Sequence, residues 1–220
     1  MPEVKQLIIF DLDKTLTRRD TLLPYLFGFL IRQPWRVFRT LHLPVAALLF
    51  KIGIINNTRL KEIFITAFLA GTSREEIRHW SDTFIDRLLA RGMRREAIDR
   101  LNQHINAGDY TILLSASLDI YVHDLGNQLG FEEIICTRAE WKSDRLTGLL
   151  ASANHQGAEK VRQLDKLREQ YPDATITAYA DNDSDIDLLR RADNGILVNA
   201  SRKTRQMAYH YEIDNQIWRN

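Results

Sequence analysis

A single cysteine, Cys136, stands in a chain of 220 residues. That excludes an internal disulfide or a zinc cluster built on several thiolates, and a reducing, cytoplasmic setting is expected. Net charge is only +1, without the basic excess of a dedicated nucleic-acid binder, so no nucleic-acid partner is expected. The six histidines include no helical pair with metal-ligand spacing. No uncharged run reaches the roughly 20 residues that a membrane-spanning helix requires. The short apolar run at the start contains Lys5 and leads into Asp11, unlike a cleavable signal. With 45% hydrophobic residues, the length suits one compact domain carrying an insertion. Oligomeric state is not legible.

The most local absence is of acidic residues. Between Asp20 and Glu62 there are none, while Arg32, Arg36, Arg39, Lys51, Arg59 and Lys61 all fall there. Residues 21–31 and 40–50 are uncharged, each about half a membrane-spanning length. Two or three short helices joined by a basic turn are expected. Such a unit can pack on itself as a cap with its cationic heads in solvent, or lie peripherally on anionic lipid.

What is present points to a buried parallel sheet. Residues 7–10 are Leu-Ile-Ile-Phe and end at Asp11, as a strand covered on both faces would. Strand alternation points Asp11 and Asp13 the same way, and two carboxylates so placed call for a cation. Ser73 and Glu76 form a capping-box pair, and residues 106–109 make a turn. A second buried strand spans 110–115. Beyond it come a helix over 117–129, a strand at 133–137, a small hairpin over 139–148 and a helix over 158–171. A strand over 175–180 stopping at Asp181, a helix over 185–191 and a strand over 195–198 follow. Residues 201–220 finish the core or cover a sheet edge. Trp35, Trp80, Trp141 and Trp218 read as packing, although Trp35 beside Arg36 could sit at a lipid interface.

Asp11-Leu12-Asp13-Lys14-Thr15, Ser115, Lys160 and Asp181-Asn182-Asp183-Ser184-Asp185 all fall at strand or helix ends. Alone, each has an ordinary structural use as a turn, cap or solvated residue. Together, in this order, they resemble the four motifs of the haloacid dehalogenase superfamily of phosphohydrolases. The insertion between the first two motifs looks like its phosphoserine-phosphatase-like subgroup, which includes a bacterial phosphatidylglycerophosphate phosphatase. The resemblance implies an α/β fold with a Rossmann-like parallel sheet core over 1–17 and 109–220, and a helical cap inserted after the first strand over 18–108. Lys14 departs from the family, which commonly has Gly there; it adds charge beside the carboxylates or points to solvent.

The chemistry follows from the residue types. A carboxylate is a competent phosphoryl acceptor, which assigns Asp11 as nucleophile. Its charge repels a phosphate dianion, so Mg²⁺ is expected between them. The resemblance implies that Asp11, Asp13 through its backbone carbonyl and Asp181 hold the metal, with Asp185 acting through water or orienting its neighbours. Asp13 would be the general acid and then base. Ser115, the amide of Ala116 and Lys160 would bind phosphate oxygens, with Thr15 bracing the loop. Asp20 lies where phosphoserine phosphatases carry an acid for the substrate's amino group, whereas residues 63–69 are apolar roughly where a carboxylate-binding arginine is expected. The substrate is therefore read as a lipid-linked phosphate such as phosphatidylglycerophosphate, with Arg32, Arg36 and Arg39 meeting headgroups. The alternatives are a soluble ester (phosphoserine, histidinol phosphate or a sugar phosphate) and an inactive membrane-docking or scaffold protein.

Overall fold

A computed structural model describes residues 4–219; residues 1–3 and 220, at the ends of the expected core, lie outside the described residues. In chain order the strands are β1 (Gln6–Phe10), β2 (Tyr110–Leu118), β3 (Glu133–Thr137), β4 (Ala139–Lys142), β5 (Arg145–Leu150), β6 (Thr175–Ala180), β7 (Asn194–Val198) and β8 (Asp214–Gln216). Six form a parallel sheet in the order β3-β2-β1-β6-β7-β8, while β4 and β5 pair as an antiparallel hairpin. Alternation along the strands divides the core. Ile8, Phe10 and Leu113 belong to one buried cluster and Leu7, Ile9, Ile112, Leu114 and Ile176 to the other. Both faces of the central strands are thus dry, as their unbroken apolar runs require.

Between β1 and β2 lie α1 (Leu22–Arg32), a 3₁₀ segment (Pro34–Thr40), α2 (Leu43–Lys51), α3 (Asn57–Leu69), α4 (Arg74–Arg91) and α5 (Arg95–Ala107). The capping box at Ser73 and Glu76 is formed. This unit meets the core where α4 packs on α6 (Asp119–Leu129). Tyr25 of α1 stacks on Tyr121 at 4.7 Å and meets Phe84 edge-on at 5.1 Å. The hairpin lies against α3 so closely that a Cβ on Gly148, at φ +97°, would collide with Thr66; only glycine fits there. In contrast, α5 packs on β2, and its His104 reaches the Tyr179 hydroxyl at 3.1 Å. The last helix before residue 108 therefore covers the sheet rather than the cap, a departure from the expected boundary.

The remaining helices are α7 (Ala158–Gln170), α8 (Ile186–Arg191) and α9 (Arg202–His210). α6 starts two residues later than expected because β2 runs on to Leu118 through a register shift. Residues 201–219 supply α9 and then β8, which covers the edge of β7, and Trp218 packs on Tyr179 at 5.3 Å.

Two expected headgroup ligands are corrected. Arg36 is buried, and its guanidinium donates to the carbonyls of Phe68 (3.0 Å) and Ala70 (3.1 Å) and to the Thr72 hydroxyl (2.9 Å). Arg39 donates to the carbonyls of Ala70 (2.9 Å) and Thr66 (3.0 Å). The last carbonyls of α3 carry the negative end of its dipole, so both arginines cap that terminus. Arg32 stays exposed, with its guanidinium 4.9 Å from the Trp80 ring.

Candidate active site

β1 ends at Phe10, and the amide of Asp11 donates to Tyr179 O on the neighbouring strand at 3.0 Å. This fixes the Asp11 carboxylate at the carboxyl end of the sheet, where α/β proteins gather chemistry. One oxygen accepts from Lys160 Nζ at 2.6 Å and the other from Thr15 Oγ1 at 3.3 Å. Lys160 lies in the first turn of α7 and is only 2% exposed. Its ammonium also reaches Asp185 Oδ2 at 2.7 Å. Burial disfavours that charge, but Asp11 and Asp185 outweigh it and raise the lysine pKa. Lys160 is thus a fixed cation bridging the first and fourth motifs.

Burial pushes Asp11 up to about 7, with Lys160 opposing and Asp185 and Asp13 adding to it. Asp181, directly after β6, is pushed up to about 8, first by burial and then by Asp11. It receives no hydrogen bond or ion pair among the described residues, and only Lys14 and Lys160, acting without direct contact, oppose the shift. Among the described residues no three acidic, histidine or cysteine side chains converge as a metal cage. Two carboxylates, a backbone carbonyl and open positions for water and phosphate oxygens are a Mg²⁺-type donor set. The unpartnered Asp181 fits that ion: it and Asp11 could hold it.

Asp13 faces a different set of partners. Its Oδ1 accepts from Thr21 N (2.6 Å) and Thr21 Oγ1 (2.7 Å), and its Oδ2 from Ser117 Oγ (2.6 Å). Tyr121 OH stands 2.9 Å behind Thr21 Oγ1. Burial raises the Asp13 pKa against these donors. Ser115 is buried at the same sheet end, and its Oγ accepts from Ser117 N at 3.0 Å, turning the backbone after Ser115 and Ala116. Lys14 adopts φ +60°, the left-handed conformation in which glycine is relaxed. Its ammonium pairs with Asp20 at 2.7 Å, both side chains about half exposed. The Asp20 hydrogen bond raises the Lys14 pKa.

Lys61 is the residue that sequence reasoning counted only as cap charge. From α3 it crosses to the core and donates to Ala116 O at 2.8 Å and to Asn154 Oδ1. Burial lowers its pKa to about 8, Asp13 opposing and Lys160 reinforcing. Its position was readable: Lys61, Ile65 and Phe68 share one helical stripe whose other members are buried. Thr21 and Ser117, the partners of Asp13, had no comparable signal. A groove of about 780 Å³ lies elsewhere, along β3 and α6, and includes none of the motif carboxylates. The charged cluster of Asp11, Lys160, Asp181 and Asp185 is instead buried at the carboxyl end of the sheet.

Comparison with known proteins agrees with this geometry. The family model for haloacid dehalogenase-like hydrolases matches residues 8–190. Protein CicA of Caulobacter vibrioides is 29% identical over 195 residues, 85% of this chain and 83% of that protein. A probable phosphatase of Mycobacterium tuberculosis is 23% identical over 94% of this chain and 73% of its own length. A Bordetella pertussis protein of unknown function superposes with a TM-score of 0.82 at 22% identity, covering 96% of this chain and 98% of that one. A phospho-aspartyl intermediate analogue of phosphoserine phosphatase superposes with a TM-score of 0.69 at 18% identity, covering 99% and 94%. The chain belongs to the haloacid dehalogenase-like hydrolase family, as an enzyme with the phosphoserine-phosphatase-like fold.

Proposed function

We propose that this enzyme is a Mg²⁺-dependent phosphomonoesterase working through an aspartyl phosphate on Asp11. The observation that carries the reading is Lys160, held between Asp11 and Asp185 beside the unpartnered carboxylate of Asp181. Asp11 attacks phosphorus as the ester P–O bond breaks, and Asp13 delivers its proton to the departing alkoxide. Asp13 then takes a proton from the water that attacks the acyl phosphate; the P–O bond to Asp11 breaks and inorganic phosphate leaves. Lys160, Ser115 and the Ala116 amide offset charge on the phosphoryl oxygens, and Thr15 orients the nucleophile. Bound Mg²⁺ would supply charge neutralisation between carboxylate and phosphate, with Asp11, Asp181 and the Asp13 carbonyl as its ligands and Asp185 behind them. Residues 18–108, apart from α5 on the sheet, act as the cap, through which Lys61 latches α3 to the core.

For the substrate we favour a lipid-linked phosphate such as phosphatidylglycerophosphate, met in peripheral contact with an anionic membrane. Asp20, which would receive a substrate amino group, is already paired with Lys14, and Lys61 offers a cation that suits a second anionic group on the substrate. Among the described residues no helix is long and apolar enough to cross a membrane. The soluble-ester reading draws on the enclosure of Asp11, which is 7% exposed.

Phosphate release with Mg²⁺ separates these readings. The panel is phosphatidylglycerophosphate in detergent micelles, phosphoserine, histidinol phosphate and several sugar phosphates, with Asp11→Asn as the blank. The lipid is expected to exceed every soluble ester in kcat/KM. A soluble ester in first place overturns the lipid assignment, and silence across the panel leaves the scaffold reading.

A further inference from the structure

We infer that the outer face of α1, the 3₁₀ segment and α2 docks on the surface of an anionic bilayer, holding the catalytic site at the headgroups. This deepens the lipid-phosphate reading and rests on it for its purpose. Twelve of the seventeen exposed large hydrophobic side chains among the described residues lie between Leu23 and Ile54, and Ile31, Phe38 and Leu41 are 81%, 75% and 73% exposed. α1 buries Tyr25, Leu26 and Phe29 and turns Leu23, Phe27 and Ile31 outward at helical spacing. A helix apolar on both sides is built for two apolar neighbours, and the fold supplies one. Exposure this dense differs from the scattered apolar surface of an ordinary monomer.

Charge identifies the other neighbour. Residues 21–61 hold no acidic side chain, and Arg32 and Lys51 on this stretch are exposed, while Arg59 is paired with Glu62 at 3.2 Å. A second copy meeting this face through a two-fold axis would set cations against cations; anionic headgroups would satisfy them. Each helix is too short to cross a bilayer, so it lies in the interfacial plane. Trp35, 58% exposed, is the side chain suited to that depth.

The face is tied at both ends to the catalytic cluster. Thr21, just before α1, donates twice to Asp13. After α2 the chain returns through α3, where Asn57 donates to Gln156 and Lys61 to Ala116 O. Docking of residues 22–56 therefore sets the site beside the bilayer, so that a lipid phosphate can enter while its acyl chains stay in the membrane.

The test is cosedimentation of the full chain with phosphatidylglycerol-containing vesicles against pure phosphatidylcholine vesicles, at low and high salt. Asp11→Asn serves in parallel so that turnover plays no part. The protein is expected to pellet with the anionic vesicles, and less so in high salt. The double substitution Ile31→Asp with Phe38→Asp should lower partitioning at least about tenfold. Because both side chains are exposed, its melting temperature and its hydrolysis of p-nitrophenyl phosphate should match wild type. Wild-type protein left in the supernatant overturns the proposal, as does a double variant that pellets like wild type. A wild-type dimer in sedimentation velocity that these substitutions dissociate also overturns it, by naming a second copy as the occupant. Vesicle binding without hydrolysis of any ester would support docking and remove the phosphatase reading, so the two fail separately.

Discussion

At the scale of the residue, Lys14 shows what a departure from a motif costs. At φ +60° an L-residue is disfavoured by about 1–2 kcal/mol, and the exposed pair with Asp20 returns only a part of that. Replacing Lys14 by glycine relieves the backbone but adds freedom to the unfolded chain. Lys14→Gly is therefore expected to unfold in urea within about 1 kcal/mol of wild type or above it, whereas Lys14→Val should lose about 1–2 kcal/mol. Equal losses in both would show that the left-handed conformation carries no strain. Sequence left two uses of Lys14 open, because nothing in the pentapeptide reports where Asp20 lies; the structure supplies a partner at 2.7 Å.

At the scale of the element, α3 shows both what periodicity reveals and what it hides. Its apolar stripe was legible, and so was a cap rich in short helices. The arginines were misread because their partners are backbone carbonyls, which no side-chain pattern announces. Arg36→Ala would leave the Phe68 carbonyl and the Thr72 hydroxyl buried without that donor, while the Ala70 carbonyl keeps Arg39. We expect a loss of about 2–4 kcal/mol in urea unfolding, only partly recovered by Arg36→Lys because an ammonium lacks the planar fork. A loss below about 0.5 kcal/mol, ordinary for a surface change, would contradict the clamp. Most sheet strands, by contrast, were readable within a residue, since burial on both faces writes itself as continuous apolar runs; β2 runs three residues further than expected, and the edge strand β8, without such a run, was not read as a strand. The network from Asp13 through Thr21 and Ser117 to Tyr121 was not, because it joins residues about 100 positions apart by hydroxyls that occur everywhere.

At the scale of the whole molecule, burial and like charge tie stability to pH and metal. Asp11 and Asp181 are pushed up to about 7 and about 8 from an ordinary 3.8. Between these values the folded protein holds protons that the unfolded chain has released. Metal-free stability from these two groups is therefore full below about pH 4 and lost as pH rises towards 8. Mg²⁺ takes the place of those protons, so its stabilising shift in melting temperature should be larger at about pH 8 than at about pH 5.5. A shift independent of pH would mean that the cation binds elsewhere. The α/β core was legible from its apolar runs and its family from the order of its motifs, while the cap, with few chemical motifs, had to be read from contacts.

The most direct test of the account is to trap the covalent intermediate during turnover of whichever ester proves fastest, by reducing the acyl phosphate with borohydride and mapping the modified residue by mass spectrometry. The account requires homoserine at position 11, present only with substrate and Mg²⁺ and absent from Asp11→Asn. Rapid phosphate release with no modification at Asp11, or with the label on another side chain, would contradict it.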